Sequence, residues 1–205
     1  MPQVEVSVDV HAAGNSMEAA LCTIMHWVDD AKVMARTQAL TENFDAPYNV
    51  VFWGVDEGGT MTAAAERHGA LSISSEIGGY GRVSVEGLRY AERGLDNVLK
   101  GLGMIDGKPD TSQPDGGRTR QMQVRDQRSY LFAPTDGLFE PKFLPGQEVR
   151  AGAPAGILPF IEEWEREPMS ITFPIDGYVW MSPGSGRMRK GDVIAVIMQD
   201  YVAAR

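Results

Sequence analysis

Val4-Glu5-Val6-Ser7-Val8-Asp9-Val10 alternates apolar and polar residues and leads directly into His11. A period of two residues is typical of a β-strand that buries one face. A second strand-like run, Leu71–Ser75, leads into Glu76 and then into a glycine-rich turn. In α/β enzymes, a strand that ends on a lone His or Glu beside small residues often presents a metal ligand or a general base. The two strand ends therefore predict parts of one active site.

Composition excludes several classes of protein. The chain has 205 residues, a formal net charge of −9 and 43% hydrophobic residues, which is ordinary for a globular protein. No Lys/Arg stripe is interleaved with aromatic residues, so a nucleic-acid groove is not expected. No apolar run approaches the roughly 20 residues of a membrane span, and the N-terminus does not read as a signal peptide. We expect a cytoplasmic protein in which the single cysteine, Cys22, is a buried apolar residue.

Residues 1–105 alternate between strand-like and helix-like segments, which predicts an α/β sheet domain. Strands are predicted at Val4–Val10, Tyr48–Val55 and Leu71–Glu76, helical content between Ser16 and about Asn43, and helices at Met61–His68 and Val85–Leu102. In the last helix, steps of three or four residues define an apolar face, and Gly103 supplies a stop signal. This face consists of Leu88, Ala91, Leu95, Val98 and Leu102.

Residues 106–120 are rich in turn formers and charge, so they predict a linker. Beyond it, residues 121–205 show short β-type runs between glycines and prolines, and they contain a repeat. Pro134-Thr135-Asp136-Gly137 recurs as Pro174-Ile175-Asp176-Gly177, and Val149-Arg150-Ala151-Gly152 recurs as Met188-Arg189-Lys190-Gly191. This pattern resembles the all-β barrel-sandwich (biotinyl/lipoyl-like) fold.

A carrier with a swinging arm is one alternative for such a fold. Carriers of this kind place a modified Lys between the two repeats, but the stretch from Ala153 to Phe173 contains no Lys. The carrier hypothesis therefore fails at its essential residue.

The order of five segments resembles the succinylglutamate desuccinylase/aspartoacylase family, and most of all its Nα-acetyl-diaminobutyrate deacetylase-like members. These segments are Asp9–Gly14, Asp45–Tyr48, Ser74–Gly81, Ala91–Leu99 and Ala133–Leu138. The resemblance implies the C-terminal part of a zinc-carboxypeptidase-like α/β domain at residues 1–105, followed by the β domain. It also implies hydrolysis of the amide bond of a small N-acylated amino acid or diamino acid, with Zn²⁺ as the cofactor.

Site residues follow from the same resemblance. In the family, zinc is held by a His-x-x-Glu pair and by one later His, which His11 matches, and Glu76 matches the general base. Asp9 lies on the same strand face as His11 and is expected to hydrogen-bond it. The turn with Gly78, Gly79, Tyr80 and Arg82 is expected to lie near the substrate.

The His-x-x-Glu pair has no counterpart in this sequence. His26 and Asp29 have a similar spacing, but they follow His11 instead of preceding it, so we interpret His26 as an ordinary helix residue. His68 is interpreted as the C-terminal residue of a helix. Two hypotheses remain open. The chain is either an N-terminally truncated zinc amidohydrolase, with a possible homo-oligomer or complementing N-terminal fragment as partner, or a non-catalytic binding or assembly module.

Overall fold

The structure is a computed structural model, and it describes residues 4–53, 59–113 and 117–202. The chain has a mixed α/β fold with one large sheet and few helices. The helices are α1 (Ala31–Phe44), α2 (Met61–Arg67) and α3 (Val85–Gly101). The strands are β1 (Val6–Asp9), β2 (Met17–Ala19), β3 (Cys22–His26), β4 (Tyr48–Phe52), β5 (Leu71–Glu76), β6 (Arg120–Val124), β7 (Tyr130–Phe132), β8 (Gly137–Leu138), β9 (Glu140–Pro141), β10 (Glu148–Val149), β11 (Pro154–Leu158), β12 (Met169–Thr172), β13 (Gly177–Pro183), β14 (Arg187–Met188) and β15 (Val193–Asp200).

The large sheet runs through both halves of the chain. Its order is β1-β5-β3-β4-β6-β15-β13-β10. In addition, β2 pairs with β13, and β7 pairs with β15. Strands β1 and β5 are parallel, β3 is antiparallel to β5, and β3, β4 and β6 are parallel to one another. Strand β15 then pairs with β6 through Gln199 and Asp200. Strand β6 thus joins the N-terminal strands to the C-terminal ones.

The region between Ser16 and Asn43 differs from the sequence expectation, because two strands precede its helix. Strand β3 occupies Cys22–His26, and α1 begins only at Ala31. The carboxylate of Asp30 accepts hydrogen bonds from the backbone N–H groups of Lys32 and Val33, which fixes the start of α1. His26 is therefore the last residue of a strand, and its interpretation as a helix residue is wrong.

Helix α3 has nearly the predicted bounds, but it buries only Ala91 and Val98 of the predicted apolar face. Leu88, Leu95 and Leu102 are 47%, 37% and 39% exposed. The buried side is made of small residues, Gly87, Ala91, Gly94 and Val98 among them. A Cβ atom at Gly94 would lie 2.6 Å from the ring of Phe44 in α1. The close packing of α1 on α3 therefore selects the face with small residues over the face with leucines.

The repeat in the C-terminal half corresponds to reciprocal contacts between its two copies. The carboxylate of Asp136 accepts a hydrogen bond from the backbone N–H of Lys190, and that of Asp176 accepts one from the backbone N–H of Ala151. Each aspartate turn thus closes the glycine turn of the other copy. A core beneath these turns contains Phe139, Phe143, Leu158, Phe173 and Ile197 among other buried residues.

The segment predicted as a linker is fastened to the α/β part at two points. The side chain of Asn97 both donates to the carbonyl oxygen and accepts from the N–H of Asp110. Gln113 is buried and donates to Asp45 and to the carbonyl oxygen of Ala46. Residues 114–116 of this segment, and residues 54–55 of the strand predicted at Tyr48–Val55, lie outside the described residues.

The N-terminal strands have two differently covered faces. On one face, Val6 and Val8 pack with residues of α1, α3 and β5. On the other, Cys22, Val50 and Met122 pack against Trp180, Val196 and Met198 of the C-terminal half. None of the helices in the described part of the chain has the length and apolarity needed to cross a membrane.

Candidate active site

Asp9, His11 and Glu76 come together where β1 and β5 end side by side. Asp9 pairs with Ser74 in the parallel register, and the backbone N–H of Ile77 donates to the carbonyl oxygen of His11 at 3.1 Å. The N–H of His11 donates to Oγ of Ser75. Because side chains alternate along a strand, Asp9 and His11 share one face of the sheet, and Ser74 and Glu76 share the same face on β5.

This face lines an open cavity of about 510 Å³. Its walls come from five strands and from the N-terminal end of α2, and they mix carboxylates, imidazoles, hydroxyls and apolar rings. The lining residues are Asp9, His11, Ile24, His26, Phe52, Gly59, Thr60, Met61, Thr62, Ser74, Glu76 and Trp180.

Glu76 is an unusual carboxylate. Glu76 is only 7% exposed, and its Oε2 atom has no hydrogen-bond partner among the described residues. Burial, together with the smaller effect of the nearby charge of Asp9, raises the pKa of Glu76 from its ordinary value of 4.5 to about 7. A carboxylate with such a pKa exists in both protonation states near neutral pH, so it can both accept and return a proton.

Trp180 is a cavity residue that the sequence did not reveal. It comes from β13 in the C-terminal half and is 3% exposed. Its ring is tilted against that of Phe52, with 5.3 Å between the ring centroids. A lone tryptophan in a β-rich segment carries no signal of a site. Its place in this wall depends on the pairing of strands far apart in sequence.

Cys22 lies beside this wall and is fully buried, as expected from its apolar neighbours. Burial raises the pKa of its thiol to about 12. The thiol is therefore uncharged at neutral pH and is not a nucleophile.

The glycine-rich turn lies beside a second cavity, of about 410 Å³, lined by Gly78, Gly79 and Arg82 among others. A Cβ atom at Gly79 would lie 2.0 Å from the carbonyl oxygen of Met17, so glycine is required for the backbones to approach. The hydroxyl of Tyr80 donates to the carbonyl oxygen of Pro183, and Arg82 pairs with Glu18. These residues thus hold β2 and β13 against the end of β5, and they do not line the cavity of His11 and Glu76.

The described residues do not complete a zinc site. No group of three or more His, Cys, Asp or Glu side chains that could hold a metal ion occurs among them. His11 is exposed, and its ring has no hydrogen-bond partner among the residues that the structure describes, so it remains available as one ligand. Structural zinc sites need four ligands and catalytic ones need three.

Comparison with known proteins gives a consistent picture. Residues 1–102 match the succinylglutamate desuccinylase/aspartoacylase catalytic domain. The chain is 26% identical to the N-alpha-acetyl-L-2,4-diaminobutyric acid deacetylase of Halomonas elongata, over 97% of this chain and 57% of that protein.

Solved structures extend the likeness across both halves. A succinylglutamate desuccinylase/aspartoacylase from Rhodobacter sphaeroides superposes with a TM-score of 0.93 at 44% identity, over 98% of this chain and 60% of that one. The product-bound ectoine utilization protein EutE (DoeB) from Ruegeria pomeroyi gives a TM-score of 0.88 at 26% identity, over 97% of this chain and 59% of that one. The chain therefore spans less than two thirds of the length of these relatives.

Proposed function

Because the chain belongs to the succinylglutamate desuccinylase/aspartoacylase family, we propose that it contributes to a centre that hydrolyses the amide bond of an N-acylated amino acid. The observation that carries this proposal is the buried carboxylate of Glu76, which has one unpartnered oxygen and shares a cavity with His11. The deacetylase of Halomonas elongata and the EutE protein of Ruegeria pomeroyi suggest an Nα-acetylated diamino acid as substrate, as in ectoine breakdown.

In the proposed reaction, Glu76 is the general base. With a pKa raised to about 7, its carboxylate accepts a proton from water and then delivers it to the departing amine. The apolar rings of Phe52 and Trp180 line the same cavity, and the burial of Glu76 keeps this pKa high.

Zinc is the metal we propose for this centre, with His11 as one ligand. The hydrogen bond expected between Asp9 and His11 is not formed in this structure, and Asp9, on the same strand face, would accept it from the ring once the metal orients the imidazole. When bound, zinc supplies a Lewis acid that lowers the pKa of a coordinated water. Because the described residues offer no group of three ligands, a complete centre needs ligands in addition to His11.

A complementing N-terminal fragment or a second copy of the chain is the proposed source of these ligands. Strand β1 pairs only with β5 among the described residues, so its other edge is open to a further strand.

The turn at Gly78–Arg82 has a supporting role in this proposal, because its contacts with β2 and β13 hold the segment that follows Glu76 in place.

For residues 121–205 we propose the barrel-sandwich fold. The reciprocal hydrogen bonds of Asp136 with Lys190 and of Asp176 with Ala151 support two intertwined copies of one unit. This part would then act as a support, with Trp180 as its contribution to the cavity.

The test is an amide-hydrolysis assay with Nα-acetyl-L-2,4-diaminobutyrate, N-succinylglutamate and N-acetylaspartate in the presence of Zn²⁺. The chain is measured alone and together with the preceding part of the Rhodobacter sphaeroides relative as a complementing polypeptide. We expect hydrolysis only in the mixture, and we expect Glu76→Gln to abolish it. Hydrolysis that survives Glu76→Gln would refute the proposed base.

The second candidate function is a non-catalytic binding or assembly module, which is favoured by the incomplete set of metal ligands in the described part of the chain. Translation of the DNA upstream of Met1 separates the two candidates. An encoded His-x-x-Glu motif in frame, or in an adjacent reading frame, would support the hydrolase, and its absence would support the module.

A further inference from the structure

Helix α3 carries a row of apolar side chains that stay partly exposed in the described part of the chain. Leu88, Leu95 and Leu102 follow one another at intervals of seven residues, and they are 47%, 37% and 39% exposed. Val85, which is 79% exposed, and the half-buried Leu99 lie three or four residues from these leucines. Intervals of three, four and seven residues place side chains in one row along a helix. We call these five residues the leucine seam.

The seam is distinct from the side of α3 that packs against the rest of the fold. Gly94 faces the ring of Phe44 in α1, and Val98 belongs to the core cluster that contains Ile73 of β5. Because each residue turns the helix by about 100°, Leu95 lies beyond Val98 on the side away from Gly94. Charged residues form the third side of the helix, and they are Glu86, Arg89, Arg93, Asp96 and Lys100.

A second apolar row on a surface helix indicates a second packing contact. One apolar stripe is sufficient to hold a surface helix on its core, and the remaining surface is normally polar. A row with steps of three and four residues fits the side of another helix, which packs at a small crossing angle. The shape of the seam therefore favours a helix as the element that covers it.

The charge of the seam determines what kind of helix fits. Glu92 lies within the row, one helical turn after Leu88, and it is exposed. Asp96 is already paired with Lys100, whereas Glu92 forms no ion pair among the described residues. A carboxylate that becomes buried without a cation costs free energy. A covering helix therefore needs a Lys or Arg opposite Glu92.

A second copy of the chain fits this surface poorly. Two seams packed face to face would bring the Glu92 carboxylates of both copies into one apolar contact. Each copy also has a formal net charge of −9. Like charges across an interface disfavour association, so the charge favours a different polypeptide.

The family relatives contain such a polypeptide. The Rhodobacter sphaeroides structure superposes on 98% of this chain, but the match covers only 60% of that relative. Helix α3 packs on the same face of the sheet as Val6 and Val8, which are half-buried and belong to the edge strand β1. A polypeptide that adds a strand to the open edge of β1 can thus place a helix on this face.

We propose that the leucine seam of α3 is the docking surface for an amphipathic helix of the complementing polypeptide, and that this helix places a Lys or Arg against Glu92. This inference rests on the proposed function, because it takes the complementing polypeptide as the source of the additional zinc ligands. It adds the surface that holds this polypeptide on the chain.

The test is a co-purification that does not require catalysis. The full chain is co-expressed with the tagged preceding part of the Rhodobacter sphaeroides relative, and the amount of chain recovered per tagged polypeptide is measured. We expect the double variant Leu88→Gln/Leu95→Gln to lower this recovery about tenfold or more. Glutamine retains helix propensity but removes apolar surface from the contact.

Two controls separate docking from folding. Leu144→Gln makes the same change at a leucine that is 73% exposed in the C-terminal half, and it should leave the recovery unchanged. Leu88→Met/Leu95→Met keeps the seam apolar and should also retain the recovery. Equal losses in the Met and Gln double variants would overturn the apolar contact.

Glu92 is tested by charge reversal. We expect Glu92→Lys to lower the recovery at low salt, and we expect Glu92→Gln to make the complex less sensitive to salt. Recovery of Glu92→Lys equal to that of the parent chain would overturn the proposed cation in the partner.

Other outcomes overturn the docking surface itself. These are a parent chain that does not co-purify, and a Leu88→Gln/Leu95→Gln variant that co-purifies as well as the parent. Light scattering of the chain alone tests the choice of partner, because self-association that this double variant abolishes would assign the seam to a second copy. A seam-dependent complex without hydrolysis would retain this inference and refute only the proposed catalysis. Hydrolysis in the mixture that the double variant leaves unchanged would do the reverse.

Discussion

Trp180 donates its indole N–H to the sulfur of Cys22 across 3.2 Å, although 158 positions separate the two residues in the chain. Both side chains are buried, and Phe52 packs against the same indole. The C-terminal half of the chain thereby forms part of the wall around His11 and Glu76. The two halves are consequently joined at the candidate site as well as through β6 and β15.

Replacing Trp180 should therefore damage both stability and the site. We expect Trp180→Ala to lower the free energy of unfolding by about 3–5 kcal/mol, because a large buried ring leaves a cavity. Trp164→Ala is the matched control, since Trp164 is 82% exposed and its loss should change stability by less than about 0.5 kcal/mol. Chemical denaturation followed by circular dichroism measures both. Similar effects of the two variants would contradict the buried role of Trp180.

Glu76 should make the stability of the protein depend on pH. Its pKa is about 7 in the folded chain and near 4.5 when unfolded, so the folded state binds the proton more tightly. Stability should therefore fall as pH rises from about 4.5 to 7 and then level off, by up to about 3 kcal/mol from this group. Glu76→Gln should remove this loss, so that the variant is more stable than the parent at pH 8 but not at pH 4.5. Denaturation at both pH values tests this, and equal stability at pH 8 would argue against a buried, unpartnered carboxylate.

Metal content should reflect the incomplete ligand set. We expect the purified chain to hold well under one equivalent of zinc and to show no deacylase activity alone, because His11 is a single ligand and no group of three exists among the described residues. Elemental analysis after dialysis against micromolar zinc is the measurement. Stoichiometric zinc that is lost on His11→Ala would show that the chain completes the site in another way.

The open edge of β1 should promote self-association. The N–H of Leu71 donates to the carbonyl oxygen of Glu5, and the N–H of His11 donates to Oγ of Ser75. The backbone N–H and C=O groups of the odd-numbered residues in this segment therefore point toward β5. In a parallel pair, the backbone groups of the intervening residues, including Val8, point away from β5. We expect dimers or larger species by light scattering, and we expect Val8→Pro to reduce them by removing an outward N–H group.

Val8→Ala is the control for this edge, because it removes a similar amount of packing against the helices but retains the N–H group. Association that responds equally to both substitutions would point to a surface other than the strand edge. A monomeric parent chain would show that the edge is not used.

Local patterns in the sequence are sufficient to predict the bounds of several helices and strands. The strand at Leu71–Glu76 has the predicted bounds, and α3 differs from its prediction by one residue at its end. Both segments have a strong period and clear boundaries, so neighbouring residues determine them. The helix expected between Ser16 and Asn43 was misjudged because the strand at Cys22–His26 is buried and lacks a polar alternation. Its neighbours β4 and β5, far away in sequence, stabilise it as a strand.

The sequence alone determined that Asp9 and His11 share a strand face and that Glu76 ends a second strand, because side-chain direction along a strand depends only on local alternation. Only the tertiary structure brought these ends to one cavity and added His26 and Trp180 to it. Those contacts depend on which strands become neighbours and in which register, and this is decided by the burial of whole faces against each other. The raised pKa of Glu76 has the same origin, because desolvation arises from residues that are distant in the chain but adjacent in the fold.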